Sequence, residues 1–242
     1  MTLDEVVNDI RCRVRTGARG FVVTPNVDHI VRYYRDPVFR AATDAAALRL
    51  PDGMPIVWAS RLLGRPLKER VTGADLLPAL ALMAAKEGHS VFVLGGRPGV
   101  AQRAAENLAS QAIGLLIGGA YTPPDRFGEE KWTEERAVEV VNGARPDILF
   151  VGLGSPKQEL WVHRYWDRLA CTVAVCCGAA IDYAAGVKPR APLWMQRAGL
   201  EWFWRLAHEP RRLWRRYLVD DVAFLGIFLR EWWRLRVRKS RG

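Results

Sequence analysis

Six short apolar runs alternate along the chain with longer segments in which small apolar residues recur at helical spacing. The runs, with the breaks that follow them, are GFVVTPN (20–26), ALRLPDG (47–53), SVFVLGGRPG (90–99), LLIGGAYTPP (115–124), DILFVGLGSPKQE (147–159) and TVAVCCGAAIDYAAG (172–186). This alternation predicts an α/β fold with a mostly parallel, Rossmann-like sheet flanked by helices. Ligands of such sheets bind outside the carboxyl ends of the strands, so polar residues just after each run are candidate site residues.

Two of the intervening segments are predicted helices. Residues 99–114 have a Gly near each end, and residues 73–88 contain Pro78, which predicts a kink or an early turn. The composition changes after GVKPRAP (186–192). We therefore predict an α/β domain over residues 1–196 and a helical appendage over residues 197–242.

Positive charge is concentrated in this appendage. Residues 197–242 contain twelve Lys and Arg against five Asp and Glu, so they carry +7 of the formal +10, and they hold five of the ten Trp. The pattern predicts two or three short amphipathic helices broken at Pro210. Arg205, Arg212 and Arg215 are seven and three residues apart and are predicted to share a helical face. Binding to anionic phospholipid, binding to nucleic acid, and a packed hairpin with solvated arginines are three interpretations that stay open.

Several other classes of protein are disfavoured. The apolar run Val222–Leu229 has eight residues where a spanning helix needs about 20, and the N-terminus lacks the apolar core of a signal peptide, so we expect no membrane crossing and no secretion. The four Cys form no CxxC pair, which predicts reduced thiols in the cytosol. The scattered His residues and the absence of DxD or HExxH argue against a metal centre, and no GxSxG motif indicates a serine hydrolase.

Polar residues after the runs each have a structural and a functional interpretation. Asp52 is an ordinary turn residue in LPDGMP, or a carboxylate held there for chemistry. Thr24 and Asn26 cap the next helix or face a site, and Gln158 reaches the same edge from another strand. Arg70 is a solvated cation or the partner of an anion.

The glycine turn after the third run is a candidate anion site. Gly95, Gly96 and Arg97 stand between a strand and a helix start, where backbone N–H groups and the positive helix end favour phosphate. The spacing is neither GxGxxG nor GxxxxGK[ST]. A phosphate site and a plain strand-to-helix turn remain equally compatible with the pattern.

Seven motifs, taken together, resemble one family. They are TPNVDHI, LPDGMPIVW, RVTGADL, GGRPGVA, PDILFVGLGSPKQELW, GAAIDYAAGVKPRAPLWMQRAGLEWFWRL and EPRRLWRRYL. In this order and spacing, from about residue 20 to residue 218, they resemble the WecG/TagA/CpsF glycosyltransferases. The resemblance implies transfer of N-acetylmannosamine, its uronic acid or glucose from a UDP-sugar to a polyprenyl-diphosphate-linked saccharide, in the synthesis of wall teichoic acid or another surface polysaccharide.

The resemblance also implies roles for individual residues. Asp52 would be the general base of an inverting reaction that needs no metal or other cofactor. Thr24, Asn26, Arg70 and Gln158 would line its pocket. Residues expected near the nucleotide or the diphosphate are Gly95, Gly96, Arg97, Asp182, Arg205, Arg212 and Arg215. The protein is expected in the cytoplasm, attached by its appendage to the anionic inner face of the membrane. We expect no nucleic acid partner, and a homo-oligomer is compatible with the sequence.

Two other classes of function stay open at this point. A Rossmann-like, nucleotide-dependent oxidoreductase is favoured by the strand, glycine turn and helix at residues 90–111 and opposed by the glycine spacing. A non-enzymatic module that binds membrane or nucleic acid rests on the basic appendage alone. Inverting transfer needs a carboxylate to accept the proton of the acceptor hydroxyl and positive charge for the departing diphosphate, and this chain offers both.

Overall fold

All six predicted strands are present and form one parallel sheet. The computed structural model describes residues 1–124, 127–215 and 221–239. The strands are β1 (Gly20–Val23), β2 (Leu48–Arg49), β3 (Ser90–Gly95), β4 (Leu116–Tyr121), β5 (Ile148–Gly152) and β6 (Val173–Cys176). Their order is β2-β1-β6-β5-β3-β4, and each adjacent pair is parallel. The α/β prediction is confirmed.

Helices cover both faces of the sheet. They are α1 (Leu3–Thr16), α2 (Val27–Arg35), α3 (Pro37–Asp44), α4 (Met54–Leu62), α5 (Gly73–Glu87), α6 (Val100–Gln111), α7 (Lys131–Ala144), α8 (Lys157–Tyr165), α9 (Ala180–Ala184), α10 (Leu193–Arg197), α11 (Glu201–His208), α12 (Pro210–Arg215) and α13 (Ala223–Lys239). Both predicted helices are confirmed as α5 and α6. Helix α5 starts at Gly73 and continues through Pro78, which lies in its second turn.

The strand order decides which face each helix covers. Right-handed crossovers put a helix on one face when the chain steps one way along the sheet and on the other face when it steps back. Accordingly α3 packs on α8, whereas α5 and α6 pack on α9, and α1 packs on α5. Alternate strand residues feed the two cores: Val91 and Val93 join the α5–α6 side, and Phe92 and Leu94 join the α7–α8 side. Because both faces are covered, the central strands β1, β6, β5 and β3 are apolar through most of their length, whereas the edge strand β2 ends in the exposed Arg49.

The appendage consists of short helices that return to the body. As predicted, the chain breaks before Pro210, and Glu209 leaves the helical region (φ −132°, ψ 54°). The prediction that Arg205 and Arg215 share a helical face is wrong, because Pro210 lacks an N–H and starts the separate helix α12. The Arg212 side chain lies outside the described residues. Leu213 is fully buried, so α12 is packed and not merely tethered.

Helix length and hydropathy bear on how the protein meets a membrane. Among residues 1–124, 127–215 and 221–239, no helix combines the length and the apolar character needed to cross a bilayer.

The predicted border between body and appendage, after residue 196, falls near the end of α10.

Close backbone approach at the end of β3 gives a first prediction. Gly95 has φ +126°, and a Cβ there would lie 2.4 Å from the Gly152 carbonyl oxygen. We expect Gly95→Ala to lower the free energy of unfolding by at least about 2 kcal/mol, because strain and overlap add. Gly143→Ala in α7, where a Cβ meets nothing within 4 Å, is the control and should be neutral or stabilising by up to about 1 kcal/mol. Equal urea midpoints for the two variants would contradict this account.

Candidate active site

Two cavities open at the carboxyl edge of the sheet. The first, of about 340 Å³, lies beyond β1 and β2 and is lined by Asn26, Asp52, Arg70 and Arg205 among others. The second, of about 760 Å³, lies beyond β3, β5 and β6 and is lined by Gly96, Arg97, Asp182 and Lys188 among others. Seven of the sequence-predicted residues line these cavities: Asn26, Asp52, Arg70 and Arg205 the first, and Gly96, Arg97 and Asp182 the second.

The turn that carries Asp52 is held to β1 by backbone hydrogen bonds. The Leu50 N–H donates to the Val23 carbonyl at 2.9 Å, and the Asp52 N–H donates to the Pro25 carbonyl at 2.8 Å. Gly53 follows at φ +145°, a conformation that favours glycine. The turn interpretation of LPDGMP is thus correct, and the turn also aims Asp52 into the first cavity.

Asp52 is an unusual carboxylate. Although part of its surface opens to the cavity, burial raises the pKa of Asp52 from its usual 3.8 to about 6. The positive charge of Arg205 opposes this rise in pKa, the negative charge of Glu201 adds to it, and the charges of Arg70 and His29 also oppose it. A carboxylate with a pKa near 6 is a better proton acceptor than an exposed aspartate and is still largely ionised at pH 7.

Four charged side chains join the appendage to the body beside Asp52. Arg70 donates to Glu201 of α11 at 2.8 Å, and Arg190 contacts Asp75 of α5 at 2.7 Å. Arg190 also lies 3.8 Å from Glu201, and Arg70 lies 3.9 Å from Asp75. Because all four are at most 30% exposed, solvent screens this network less than it would an isolated surface pair. Arg70 therefore positions α11 as well as lining the cavity.

A chain of hydrogen bonds connects the two cavities through the protein interior. Asn26 caps α2 by accepting the His29 N–H, and its Oδ1 also contacts His29 Nδ1 at 2.8 Å. His29 Nε2 contacts Glu159 Oε1 at 3.2 Å. Gln158 donates to the same Glu159 oxygen at 2.6 Å and accepts the Gly178 N–H at 3.1 Å. Both ring nitrogens of His29 thus face an oxygen atom of another side chain.

Burial and hydrogen bonding act in opposite directions on Glu159. Burial alone would raise the pKa of Glu159, but the hydrogen bonds from His29 and Gln158 and the charge of His29 outweigh it, so the pKa is lowered from its usual 4.5. Glu159 is fully buried and His29 is 6% exposed. The pair is thus a buried charge contact within the wall between the cavities.

Two of the predicted pocket residues are buried in this wall. Thr24 is 5% exposed, and its hydroxyl donates to the Cys176 carbonyl at 3.1 Å. Gln158 is 3% exposed and holds Gly178, which lines the second cavity. Thr24 and Gln158 therefore hold the backbone around the cavities and do not line them. Asn26, in contrast, both caps α2 and lines the first cavity.

The second cavity collects the predicted anion-binding residues. Gly96 has φ +74°, Arg97 is exposed, and no side chain caps α6 at Gly99. Gly95 is not at the surface of this cavity: its carbonyl accepts the Thr122 hydroxyl at 3.1 Å. On the opposite wall Lys188 contacts Asp182 at 2.9 Å and Glu209 at 3.3 Å.

The basic residues of the appendage are separated. Arg205 lines the first cavity and acts electrostatically on Asp52. Arg215 is exposed on α12 and lines neither cavity.

Sequence reasoning missed His29, Glu159, Glu201 and Lys188. His29 stands two residues after Val27 in TPNVDHI, and Glu159 directly follows Gln158. Their positions beside known candidates were visible, but their pairing across 130 residues was not. The two side chains come together because α2 packs on α3 and α3 packs on α8.

Comparison with known proteins identifies the class. The sequence model of the glycosyl transferase WecG/TagA/CpsF family matches residues 1–238. The chain belongs to this family and is a glycosyltransferase, so the oxidoreductase and non-enzymatic alternatives are wrong.

Two named relatives are similar to most of the chain. An N-acetylglucosaminyldiphosphoundecaprenol N-acetyl-beta-D-mannosaminyltransferase of Bacillus spizizenii is 33% identical over 200 residues, which cover 82% of this chain and 75% of the relative. A protein of the same name from Bacillus subtilis strain 168 is 32% identical over 182 residues, which cover 75% of this chain and 68% of the relative.

The buried His29–Glu159 contact gives a second prediction. His29→Leu leaves the buried Glu159 carboxylate without its contact to His29, and we expect the free energy of unfolding at pH 7 to fall by about 3–5 kcal/mol. Adding Glu159→Gln removes the stranded charge and should restore at least half of the loss. Because the pKa of Glu159 is lowered in the fold, the stabilisation is present above about pH 4.5 and is lost as pH falls below that value. Urea titrations at pH 7 and pH 4 measure it; a single variant as stable as the wild type would refute it.

Proposed function

We propose that this glycosyltransferase moves N-acetylmannosamine from UDP-N-acetylmannosamine to a saccharide carried on polyprenyl diphosphate. The observation that carries the proposal is Asp52, a carboxylate with a pKa of about 6 in a cavity that it shares with Arg70 and Arg205. The donor sugar and the acceptor correspond to the names of the two Bacillus relatives. The polymer that results would be a cell-surface polysaccharide such as wall teichoic acid.

Asp52 acts as the general base. Its carboxylate accepts the proton of the acceptor hydroxyl while that oxygen forms a bond to the anomeric carbon of the donor. The bond from the anomeric carbon to the β-phosphate oxygen breaks at the same time, and its electron pair leaves with UDP. Attack from the face opposite the leaving group inverts the anomeric centre.

Positive charge for the departing diphosphate comes from the protein in this proposal. Arg205 reaches the first cavity, while Arg97, Lys157 and the uncapped start of α6 border the second, where the nucleotide binds. Support for metal-independent transfer comes from the ligand inventory: within residues 1–124, 127–215 and 221–239, no three His, Cys, Asp or Glu side chains cluster as a metal site. Departure of UDP is then assisted by arginine and helix N–H groups.

The acceptor lipid requires the enzyme to work at a membrane surface, and we propose peripheral attachment through α10–α13. This region exposes many large apolar side chains: Leu193, Trp194, Leu200, Trp202, Phe203, Trp214, Val222, Leu225, Leu229, Trp233 and Val237. Aromatic residues interleaved with arginines suit an anionic interface, with the rings at headgroup level and the cations on phosphates. Attachment would be to the cytoplasmic leaflet.

The role of Asp52 gives a third prediction. Because the base must be ionised, kcat/KM should fall tenfold per unit below about pH 6 and level off above it, and Asp52→Asn should lower kcat by about 10²–10⁴-fold. UDP release from UDP-N-acetylmannosamine with a GlcNAc-diphosphate acceptor measures both.

Stability separates this role from a structural one. The raised pKa means that the fold favours protonated Asp52, so ionisation costs stability as pH rises through 6. Asp52→Asn should therefore be at least as stable as the wild type at pH 8. An active Asp52→Asn enzyme, or a pH profile unchanged between 5 and 7, would remove Asp52 from the role of base.

Membrane attachment gives a fourth prediction. Replacing Trp194, Trp214 and Trp233 together by Ser should lower co-sedimentation with vesicles of phosphatidylcholine and phosphatidylglycerol by at least about tenfold, because interfacial apolar area is lost. Trp132→Ser is the control, since Trp132 is 60% exposed on α7, outside the appendage. Undiminished sedimentation of the triple variant would contradict attachment through this surface.

A further inference from the structure

A third cavity, of about 530 Å³, lies between α2, α4 and α13. We call it the α13 groove. Its apolar lining comes from all three helices and includes Ile30, Ile56, Ala59, Ile227 and Phe228. The volume falls within the range of about 300–1,000 Å³ that encloses small organic ligands. No residue predicted from the sequence lies in this groove.

Helix α13 forms one wall of the groove with a single face. Phe224, Ile227, Phe228 and Glu231 line it and are spaced three, four and seven residues from the first, as one helical stripe requires. Leu225 and Leu229, on other faces of the helix, are 57% and 47% exposed. The helix therefore presents apolar residues both to the groove and to its surroundings.

The polar side chains at the groove are already paired with protein. Tyr33 donates to Asp44 at 3.0 Å, and Tyr34 donates to Glu231 at 3.5 Å. Arg49 donates to main-chain carbonyls, at 2.9 Å in the case of Asp44. Because these groups satisfy one another, what the groove offers a ligand is chiefly apolar contact.

The groove adjoins the first cavity. Phe224 lines both. Adjacent residues also divide between them: Pro51 lines the groove and Asp52 the cavity, and Ile56 lines the groove and Pro55 the cavity. A molecule with a polar end at Asp52 and an apolar end in the groove would pass Phe224 without leaving the protein.

We infer that the α13 groove binds the first isoprene units of the polyprenyl chain of the acceptor. This rests on the proposed function, because it assumes that the saccharide of the acceptor lies at Asp52 and its diphosphate in the first cavity. The apolar groove then receives the only remaining part of the acceptor, its hydrocarbon chain. The rest of that chain continues past the exposed side of α13 into the bilayer.

The test compares two acceptors, GlcNAc-diphosphate esterified with methyl and GlcNAc-diphosphate esterified with farnesyl, without detergent or vesicles. In the wild type the farnesyl ester should have a KM at least about tenfold lower, since each buried methylene is worth roughly fourfold in affinity. Ala59→Phe and Ile227→Trp fill the groove and should each remove most of this advantage, leaving kcat/KM for the methyl ester unchanged. Leu225→Trp adds bulk to the same helix outside the groove and should keep the advantage.

Each outcome has one meaning. Filled variants that retain the farnesyl advantage, or a wild type without one, would overturn the groove assignment while leaving the proposed reaction intact. A wild type that releases no UDP with either ester would instead overturn the proposed function. Unchanged methyl-ester kinetics show that the filled variants are folded.

A direct measurement accompanies the kinetics. A farnesyl ester carrying a terminal diazirine should label peptides of α4 and α13 on irradiation, and Ala59→Phe should abolish this labelling. Labelling of these peptides by a diazirine phosphatidylglycerol, and not by the farnesyl ester, would assign the groove to bulk lipid and overturn the inference.

Discussion

The hydrogen bond from the Asp52 N–H to the Pro25 carbonyl joins the loops that follow β1 and β2, and the first cavity exists because these loops are held together. Parallel pairing brings both strand ends to one edge, and β2 has only two residues, so the chain leaves the sheet at once. Asp52 is therefore fixed by main chain and not by side-chain packing. A carboxylate positioned in this way keeps its place when its ionisation changes.

The environment of Asp52 is completed from a distance. Arg70 lies just before α5 and Glu201 begins α11, so their contact closes the appendage over a site built by β1 and β2. Burial raises the pKa of Asp52, and two residues of α11 act on it as well, since the charge of Arg205 opposes the rise and that of Glu201 adds to it. The contacts that hold the appendage against the body therefore also bring the charges that shift the pKa of Asp52.

The wall between the two cavities contains buried polar side chains. His29 and Glu159 meet within it, Asn26 lines the first cavity, and Gln158 holds Gly178, which lines the second. A buried pair of this kind adds little stability over an apolar core, but it fixes the geometry of every group bonded to it.

The sequence by itself determined the six strands, the edge at which the site lies and the position of Asp52 on a turn, because local apolar periodicity and Gly or Pro breaks encode these directly. It also placed the basic, Trp-rich region and its break at Pro210. Only the tertiary structure decided three other features. Arg205 and Arg215 lie on separate helices, the side chains of Thr24 and Gln158 are buried, and His29 contacts Glu159. These features depend on how helices that are far apart in the sequence pack together, and the spacing of side chains within one segment does not predict such packing.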